Sequence, residues 1–276
     1  MRSPFDGEMK RAAVRPKITD NKGREAFESA LSGIVDSQSA AVAYRLADQK
    51  RLGSIADQHQ AAHTYLGLAF RLIEAPSISV DVDGDKIPAT RMLHFAGHAF
   101  REIGQLNRAA DAYWRAGVTS NKNGSPDPFG IRSLARAKSC CADIGEDDRS
   151  DEMHVLEWEA RRLGSERPTP ILTLWRITSR YGTSLGAWLA SLALLLGVFT
   201  LLYEALHASG WLCDTQPWTF LLTAAYYCAV TTATVGYGEI VPSHWASQLV
   251  VVLNIALAYA LLATGATILG RKVLGR

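Results

Sequence analysis

Five residues near the C-terminal end of the chain have the types and spacing needed to bind a dehydrated cation. Thr231, Thr234, Gly236, Tyr237 and Gly238 follow the pattern T-x-x-T-x-G-Y-G. Glycine reaches backbone conformations that a Cβ normally forbids, so glycines at alternate positions let consecutive carbonyls face one axis. Rings of carbonyl oxygens can replace the water shell of an alkali cation. The stretch therefore predicts ion coordination by backbone oxygens.

The same pattern resembles the selectivity filter of potassium channels, and the chain resembles the two-transmembrane, one-pore-loop potassium channel family. The filter that this resemblance implies comprises Thr234, Val235, Gly236, Tyr237 and Gly238. The K⁺ ligands that it implies are the backbone carbonyls of Thr234, Val235, Gly236 and Tyr237, together with the Thr234 hydroxyl. The residues that it implies as filter support are Thr231, Tyr226, Tyr227 and Glu239.

The sequence departs from the family pattern at several positions around this filter. Ala233 replaces a common second threonine, which removes one hydroxyl behind the filter. Val230 stands where some bacterial relatives carry a carboxylate. Ala258 occupies the place where many relatives have a hinge glycine, so Gly265 is the candidate gating hinge.

Charge divides the 276-residue chain into two parts. Residues 181–270 contain no Lys or Arg and only three acids, Glu204, Asp214 and Glu239, although the whole chain carries a net charge of +2. This division predicts a soluble N-terminal half and a membrane-embedded C-terminal half. The four cysteines do not have the spacing of a disulfide framework or a zinc site. Cys213 falls in an expected external loop, as a free thiol or one paired between subunits.

Two uncharged runs are long enough to span a bilayer whose hydrocarbon core is about 30 Å thick. They predict a first span at about 183–205 and a second at about 246–270, and an uncharged stretch broken at Pro217 lies between them. Basic residues flank both outer ends, which places both termini in the cytoplasm and requires an even number of crossings. The middle stretch is therefore expected to be a re-entrant loop. The flanking basic residues are Arg161, Arg162, Arg167, Arg176, Arg180, Arg271, Lys272 and Arg276.

The segments next to the spans have their own expected roles. Pro217 suits the first turn of a short pore helix at about 218–231, because proline lacks the N–H that would be unpaired there. Pro168 and Pro170 mark the start of residues 166–182. After them Ile171, Leu174 and Trp175 fall at helical spacing with arginines towards the other side, which is typical of an amphipathic helix at a membrane surface. A plain linker is the alternative. The pore module as a whole covers residues 183–276.

Residues 36–165 are alanine-rich and predict three helical hairpins. In each hairpin, a helix rich in small residues ends at an apolar residue followed by glycine, and a second amphipathic helix comes next. These glycines are Gly53, Gly104 and Gly145. The middle unit resembles a tetratricopeptide repeat. The distance along the chain between successive glycines exceeds the tetratricopeptide period of 34 residues, and two insertions account for the excess. These are a β-hairpin at 80–87 with an Asp-Gly turn and a breaker-rich loop at 121–129.

Two other features of this half leave alternatives open. Asp81, Asp83 and Asp85 suggest calcium ligands, but Lys86 and Met92 stand where an EF-hand needs glycine and glutamate, so a hairpin turn is favoured. The histidine pairs 59/63 and 94/98 have i, i+4 spacing without an H-E-x-x-H pattern. Packed or surface histidines are favoured over metal ligands. Residues 1–35 are rich in Lys and Arg, and we expect a disordered basic tail, solvated or touching anionic lipid.

These observations predict an all-α protein: tetratricopeptide-like helical hairpins with a small inserted β-hairpin, followed by a pore module. The expected function is passive, K⁺-selective conduction by a homotetramer in the plasma or inner membrane. The cytoplasmic repeats are expected to gate the pore on binding a peptide or small molecule. No enzymatic activity, cofactor or nucleic-acid partner is expected. The alternatives are a weakly selective cation channel and a membrane-anchored oligomeric scaffold that does not conduct.

Overall fold

The structure is a computed structural model that describes residues 5–121, 127–164, 169–215 and 217–274. The chain divides into two compact units, residues 1–169 and 170–276, which we describe separately. Both units are built mainly from helices, which confirms the predicted fold class. The expected boundary at Pro168 and most of the expected loop at 121–129 lie outside the described residues.

The first unit is a row of helices in which most helices pack against the next along the chain. Its elements are α1 (Phe5–Ala12), α2 (Asn21–Gly33), α3 (Ser37–Arg51), α4 (Ile55–Glu74), β1 (Val80–Val82), β2 (Asp85–Ile87), α5 (Ala89–Glu102), α6 (Leu106–Ser120), α7 (Pro128–Asp143) and α8 (Asp147–Leu163). One apolar core runs through the unit and includes Phe27, Tyr65, Phe100, Tyr113 and Leu134.

Three consecutive helix pairs form the predicted hairpins: α3–α4, α5–α6 and α7–α8. Gly104 and Gly145 adopt positive φ values of 77° and 79° in the turns, where a Cβ would be strained. Within the middle pair, a Cβ on Gly97 would come within 2.7 Å of the Tyr113 ring, so this glycine permits the close helix contact. The hairpins are present, whereas their membership of the tetratricopeptide family stays a prediction.

The small hairpin is also present where the sequence predicts it. β1 and β2 pair antiparallel with Val80 opposite Ile87. Asp83 and Gly84 form the turn with φ values of 55° and 89°, as a type I′ turn requires. The aspartates therefore have a turn-forming role in this segment.

The prediction of a disordered tail at 1–35 is wrong for its described part. α1 and α2 both lie in this region, and Phe5 and Phe27 are each only 2% exposed in the core. Basic residues dominate the composition, but Phe27, Leu31 and Ile34 recur at helical spacing and bury one face of the segment. In this segment the apolar periodicity indicates ordered structure better than the charge indicates disorder.

The second unit contains two long apolar helices and a short helix between them. Its elements are α9 (Pro170–Ser179), α10 (Leu185–Ala208), β3 (Leu212–Asp214), α11 (Leu222–Thr232), β4 (Ile240–Pro242) and α12 (Trp245–Leu274). α10 and α12 are long and apolar enough to cross a membrane. α11 has 11 residues, which is about half the length that a membrane-spanning helix needs.

The helix α9 lies immediately before the first long helix. Ile171, Leu174 and Ile177 are exposed on it, which leaves it an uncovered apolar face. The Ser191 hydroxyl of α10 donates a hydrogen bond to the Thr178 carbonyl oxygen (3.0 Å), so the two helices are tied together. This arrangement agrees with the expected amphipathic helix rather than with a plain linker.

The structure adds a second small sheet that the sequence did not predict. β3 pairs antiparallel with β4, with Leu212 opposite Pro242 and Asp214 opposite Ile240. Both ends of the segment between the strands are therefore held at one place. This pairing is the geometry that a re-entrant loop requires, because the segment leaves and returns on the same side.

Candidate functional site

The expected filter lies in the irregular segment between α11 and β4. Three of its residues have positive φ, Thr234 (57°), Gly236 (54°) and Gly238 (87°), whereas Val235 and Tyr237 between them do not. Glycine adopts this left-handed conformation freely, but threonine does so at a cost of about 1–3 kcal/mol. The alternation of the backbone conformation therefore covers the whole of the predicted filter.

Hydrogen bonds from α11 set the start of this segment. The Thr234 N–H donates to the Thr231 carbonyl oxygen (3.0 Å), and the Val235 N–H donates to the Val230 carbonyl oxygen (3.0 Å). These bonds cap the C-terminal end of the helix before the chain changes direction. Thr231 thus contacts the first residue of the predicted filter through its backbone carbonyl, and its role as filter support stays a prediction.

Of the two tyrosines expected to brace the filter, Tyr226 contacts it within one chain. The Tyr226 hydroxyl donates to Glu239 Oε1 (2.9 Å), and the Tyr226 and Tyr237 rings are parallel to within 2° with centroids 6.5 Å apart. The structure thus brings together three of the predicted residues, Tyr226, Tyr237 and Glu239.

Within one chain Tyr227 does not contact Tyr237, and its predicted role in bracing the filter tyrosine stays a prediction. It faces the opposite side of α11, where its ring packs edge-on against Tyr203 of α10 with centroids 4.7 Å apart. Successive residues on a helix point about 100° apart, so neighbours cannot both face the filter. Tyr227 instead anchors α11 to the first long helix.

Asn254 is a site residue that the sequence reasoning missed. Its side chain is fully buried in α12 and accepts a hydrogen bond from the Thr232 hydroxyl (3.3 Å). Its amide also donates to the Tyr203 hydroxyl (3.0 Å). One amide therefore links α10, α11 and α12 directly behind the filter segment. A lone asparagine within an otherwise apolar span was the available signal.

Glu204 stands out in the sequence only as one of three acids, yet it holds the turn that precedes α11. Its Oε2 atom accepts hydrogen bonds from the Trp218 indole (3.0 Å) and from the Leu221 N–H (3.1 Å). Leu221 has a φ of 52° and directly precedes α11. The helix accordingly begins at Leu222, so the prediction that Pro217 lies in its first turn is wrong. The carboxylate favours an anchored turn over four further helical residues.

Gly265 lies inside α12, which continues unbroken to Leu274. A Cβ at this position would lie 2.4 Å from Cζ2 of Trp188 in α10. The Trp188 indole also donates to the Leu261 carbonyl oxygen (2.7 Å). The glycine therefore has a packing role in the structure, and its role as a hinge stays a prediction.

The single chain leaves the filter segment uncovered. Val235 and Tyr237 are 53% and 67% exposed, and no described atom lies within 4 Å of a Cβ built on Gly236 or Gly238. Cys213, which is a free thiol in β3, is also exposed. The side chains expected to pack behind a filter are thus largely exposed within one chain, Tyr237 even with its contact to Tyr226.

Comparison with known proteins agrees with this geometry. Residues 191–274 match the family described as ion channel. This region is similar to ion-channel domains. A segment of 42 residues is 52% identical to the Homo sapiens protein named "Potassium channel subfamily T member 1", which covers 15% of this chain and 3% of that protein. No solved structure matches the chain. The match includes most of α10 and all of α11, the predicted filter and α12, and together with the two long apolar helices it supports a membrane protein.

Proposed function

We propose that the chain is a subunit of a potassium-selective channel that conducts K⁺ passively across a cell membrane. The alternating left-handed backbone at Thr234, Gly236 and Gly238 is the observation that supports this most directly. Left-handed residues at alternate positions let successive carbonyl oxygens face one side of the chain, as they do in potassium-channel filters. Stacked carbonyl rings of this kind dehydrate K⁺ in potassium channels.

The residues proposed to bind K⁺ follow from this backbone. The carbonyl oxygens of Thr234, Val235, Gly236 and Tyr237 would form the rings, and the Thr234 hydroxyl would add an oxygen at the cytoplasmic end. α11 ends at Thr232, just before them. The negative end of its dipole favours a cation near the entrance to the filter. K⁺ is the transported ion in this proposal, and no catalytic step is involved.

A homotetramer is proposed because one pore loop cannot enclose an axis. Potassium-selective filters combine four such loops. The exposure of Val235 and Tyr237 is consistent with this, since neighbouring copies would supply the missing packing. The uncovered apolar face of α9 suits membrane lipid. Both termini are proposed to be cytoplasmic.

Ion flux from liposomes tests the function. We expect the purified chain to carry K⁺ and to exclude Na⁺, and we expect Gly236→Ala to abolish K⁺ flux because its Cβ strains a left-handed residue in the filter. Gly197→Ala is the matched control. Gly197 lies within α10, and a Cβ at this position would meet no described atom within 4 Å, so the flux should be unchanged. Equal K⁺ and Na⁺ flux would instead support a weakly selective cation channel, and absence of flux would support the scaffold.

Gating by the first unit is proposed as part of this function. Helical-repeat surfaces commonly bind extended partners, and Val42, Leu46 and Ile55 are exposed in a groove formed by α2, α3 and α4. A peptide or small molecule bound there would act on the pore through the helix that contains Trp175. We expect removal of residues 1–165 to change the open probability in single-channel recordings while tetramers still form. An unchanged open probability under all conditions tried would refute gating by this unit.

A further inference from the structure

In the first unit, a group of polar side chains surrounds the guanidinium of Arg108. Nη1 of Arg108 lies 2.9 Å from Asp20 Oδ2, 3.2 Å from His63 Nε2, 3.5 Å from His59 Nε2 and 3.2 Å from Gln105 Oε1. A guanidinium Nη carries two N–H bonds, so it cannot donate to all four acceptors at once. The group therefore contains more electron-pair donors than the two N–H bonds of Arg108 Nη1 can satisfy.

Two helices bring together the three side chains of this group whose types commonly bind metal ions. His59 and His63 are one turn apart on α4, and Asp20 caps the N-terminus of α2. The Gly23 N–H donates a hydrogen bond to Asp20 Oδ1 (2.6 Å), which leaves Oδ2 to face Arg108 and the two histidines. A Cβ on Gly23 would lie 2.6 Å from His63 Nε2, so this glycine lets the imidazole reach Asp20.

Hydrogen bonding sets which nitrogen of His63 is available. Its Nδ1 lies 3.0 Å from the His59 carbonyl oxygen, which can only accept, so Nδ1 carries the proton and Nε2 keeps its lone pair. The His63 side chain is buried, and burial favours the neutral ring. An imidazole oriented through its second nitrogen in this way is the usual arrangement in metal-binding histidines.

We propose that Asp20, His59 and His63 bind a divalent transition metal of the zinc class, and that the metal displaces the Arg108 guanidinium. His59 Nε2 and His63 Nε2 lie 3.8 Å and 3.9 Å from Asp20 Oδ2, and all three ligand atoms lie within 4.8 Å of one another. Tetrahedral zinc with bonds of about 2.0–2.2 Å needs ligand separations of roughly 3.4 Å. Small side-chain shifts are sufficient to reach that geometry.

The choice of metal and the route to the site follow from the surroundings. Two imidazoles with one carboxylate favour zinc-class ions over Mg²⁺ and Ca²⁺, which prefer all-oxygen sites. A surface depression lined by Asn21, Lys22, Gln105 and Arg108 opens onto His59 and Asp20. Solvent in this depression can supply the fourth ligand once Arg108 has moved out.

Competition against a chromophoric zinc chelator tests the site in the full-length protein. The purification tag is removed and Cys213→Ser is the background, because Cys213 is an exposed free thiol. We expect one tight Zn²⁺ site per chain, weakened at least about 10-fold by His59→Gln. His98→Gln, which changes a half-exposed histidine beside Glu102, is the matched control and should leave the affinity unchanged.

Arg108→Met gives the decisive opposite result. Since the guanidinium occupies the site, its removal should tighten Zn²⁺ binding at least severalfold, whereas a variant that merely perturbs the fold would weaken it. Circular dichroism establishes that each variant is folded. Equal affinity of the background protein and folded His59→Gln would overturn the site, and unchanged or weaker binding by folded Arg108→Met would overturn displacement of the arginine.

Discussion

Gly265→Ala is expected to destabilise the pore domain, although alanine is the better helix former. The intrinsic preference of a helix interior for alanine over glycine is about 1 kcal/mol. Against it, the new Cβ would lie 2.4 Å from Trp188 Cζ2 and 2.5 Å from Cε2, so the indole must move. Overpacking of this kind costs about 1–3 kcal/mol, and the move also breaks the hydrogen bond to the Leu261 carbonyl. The clash outweighs the propensity, and the thermal midpoint in detergent should fall.

A sign reversal distinguishes this packing role from a hinge. In a Trp188→Ala background the clash is gone, so Gly265→Ala should raise the midpoint there. Gly270→Ala is the control on the same helix, because no described atom lies within 4 Å of a Cβ at that position, and it should be neutral or stabilising in both backgrounds. If Gly265→Ala changes gating equally with and without Trp188, the hinge prediction is the better account.

Asn254→Leu is expected to loosen the attachment of α11 to the two long helices. It removes two hydrogen bonds and leaves the Thr232 and Tyr203 hydroxyls without the amide that now bridges them. Interhelical hydrogen bonds in membrane proteins contribute about 0.6 kcal/mol on average and up to about 1.7, so the loss should be about 1–3 kcal/mol. The same change should reduce K⁺ selectivity in flux measurements, because only Ala233 separates Thr232 from the predicted filter.

A double-mutant cycle with Tyr203→Phe measures this link. Removal of both partners leaves fewer unpaired groups than removal of one, so the double variant should be less destabilised than the sum of the single variants. Leu257→Ala, at a half-exposed position on α12, is the control and should add independently to Tyr203→Phe. Strict additivity of Asn254→Leu and Tyr203→Phe would contradict the proposed bridge.

The sequence was most informative where local patterns determine structure. Apolar run length predicts α10 and α12 to within a few residues, because the hydrocarbon thickness fixes the length of a span. The Asp83–Gly84 turn was predictable because few other residues adopt positive φ in succession. Charge parity predicts a re-entrant loop, and the pairing of β3 with β4 agrees with that prediction.

The missed features depend on contacts between distant residues. Glu204 and Trp218 meet across a turn, and Asn254 meets Tyr203 and Thr232 from other helices. Such partners have no fixed sequence spacing, so no periodicity reveals them. The pairing of β3 with β4 escaped for the same reason, since each strand has only three residues and the pore loop separates them.

The exposure of Val235 and Tyr237 has a consequence for the life of the protein in a cell. An orphan subunit would display an aromatic and a branched aliphatic side chain beside a strained Thr234, whereas a completed assembly would hide them. Strained backbone persists only where its surroundings enforce it, so the orphan would also be the less ordered form. In the proposed homotetramer, the residues proposed to form the filter would therefore also mark a chain that has not assembled.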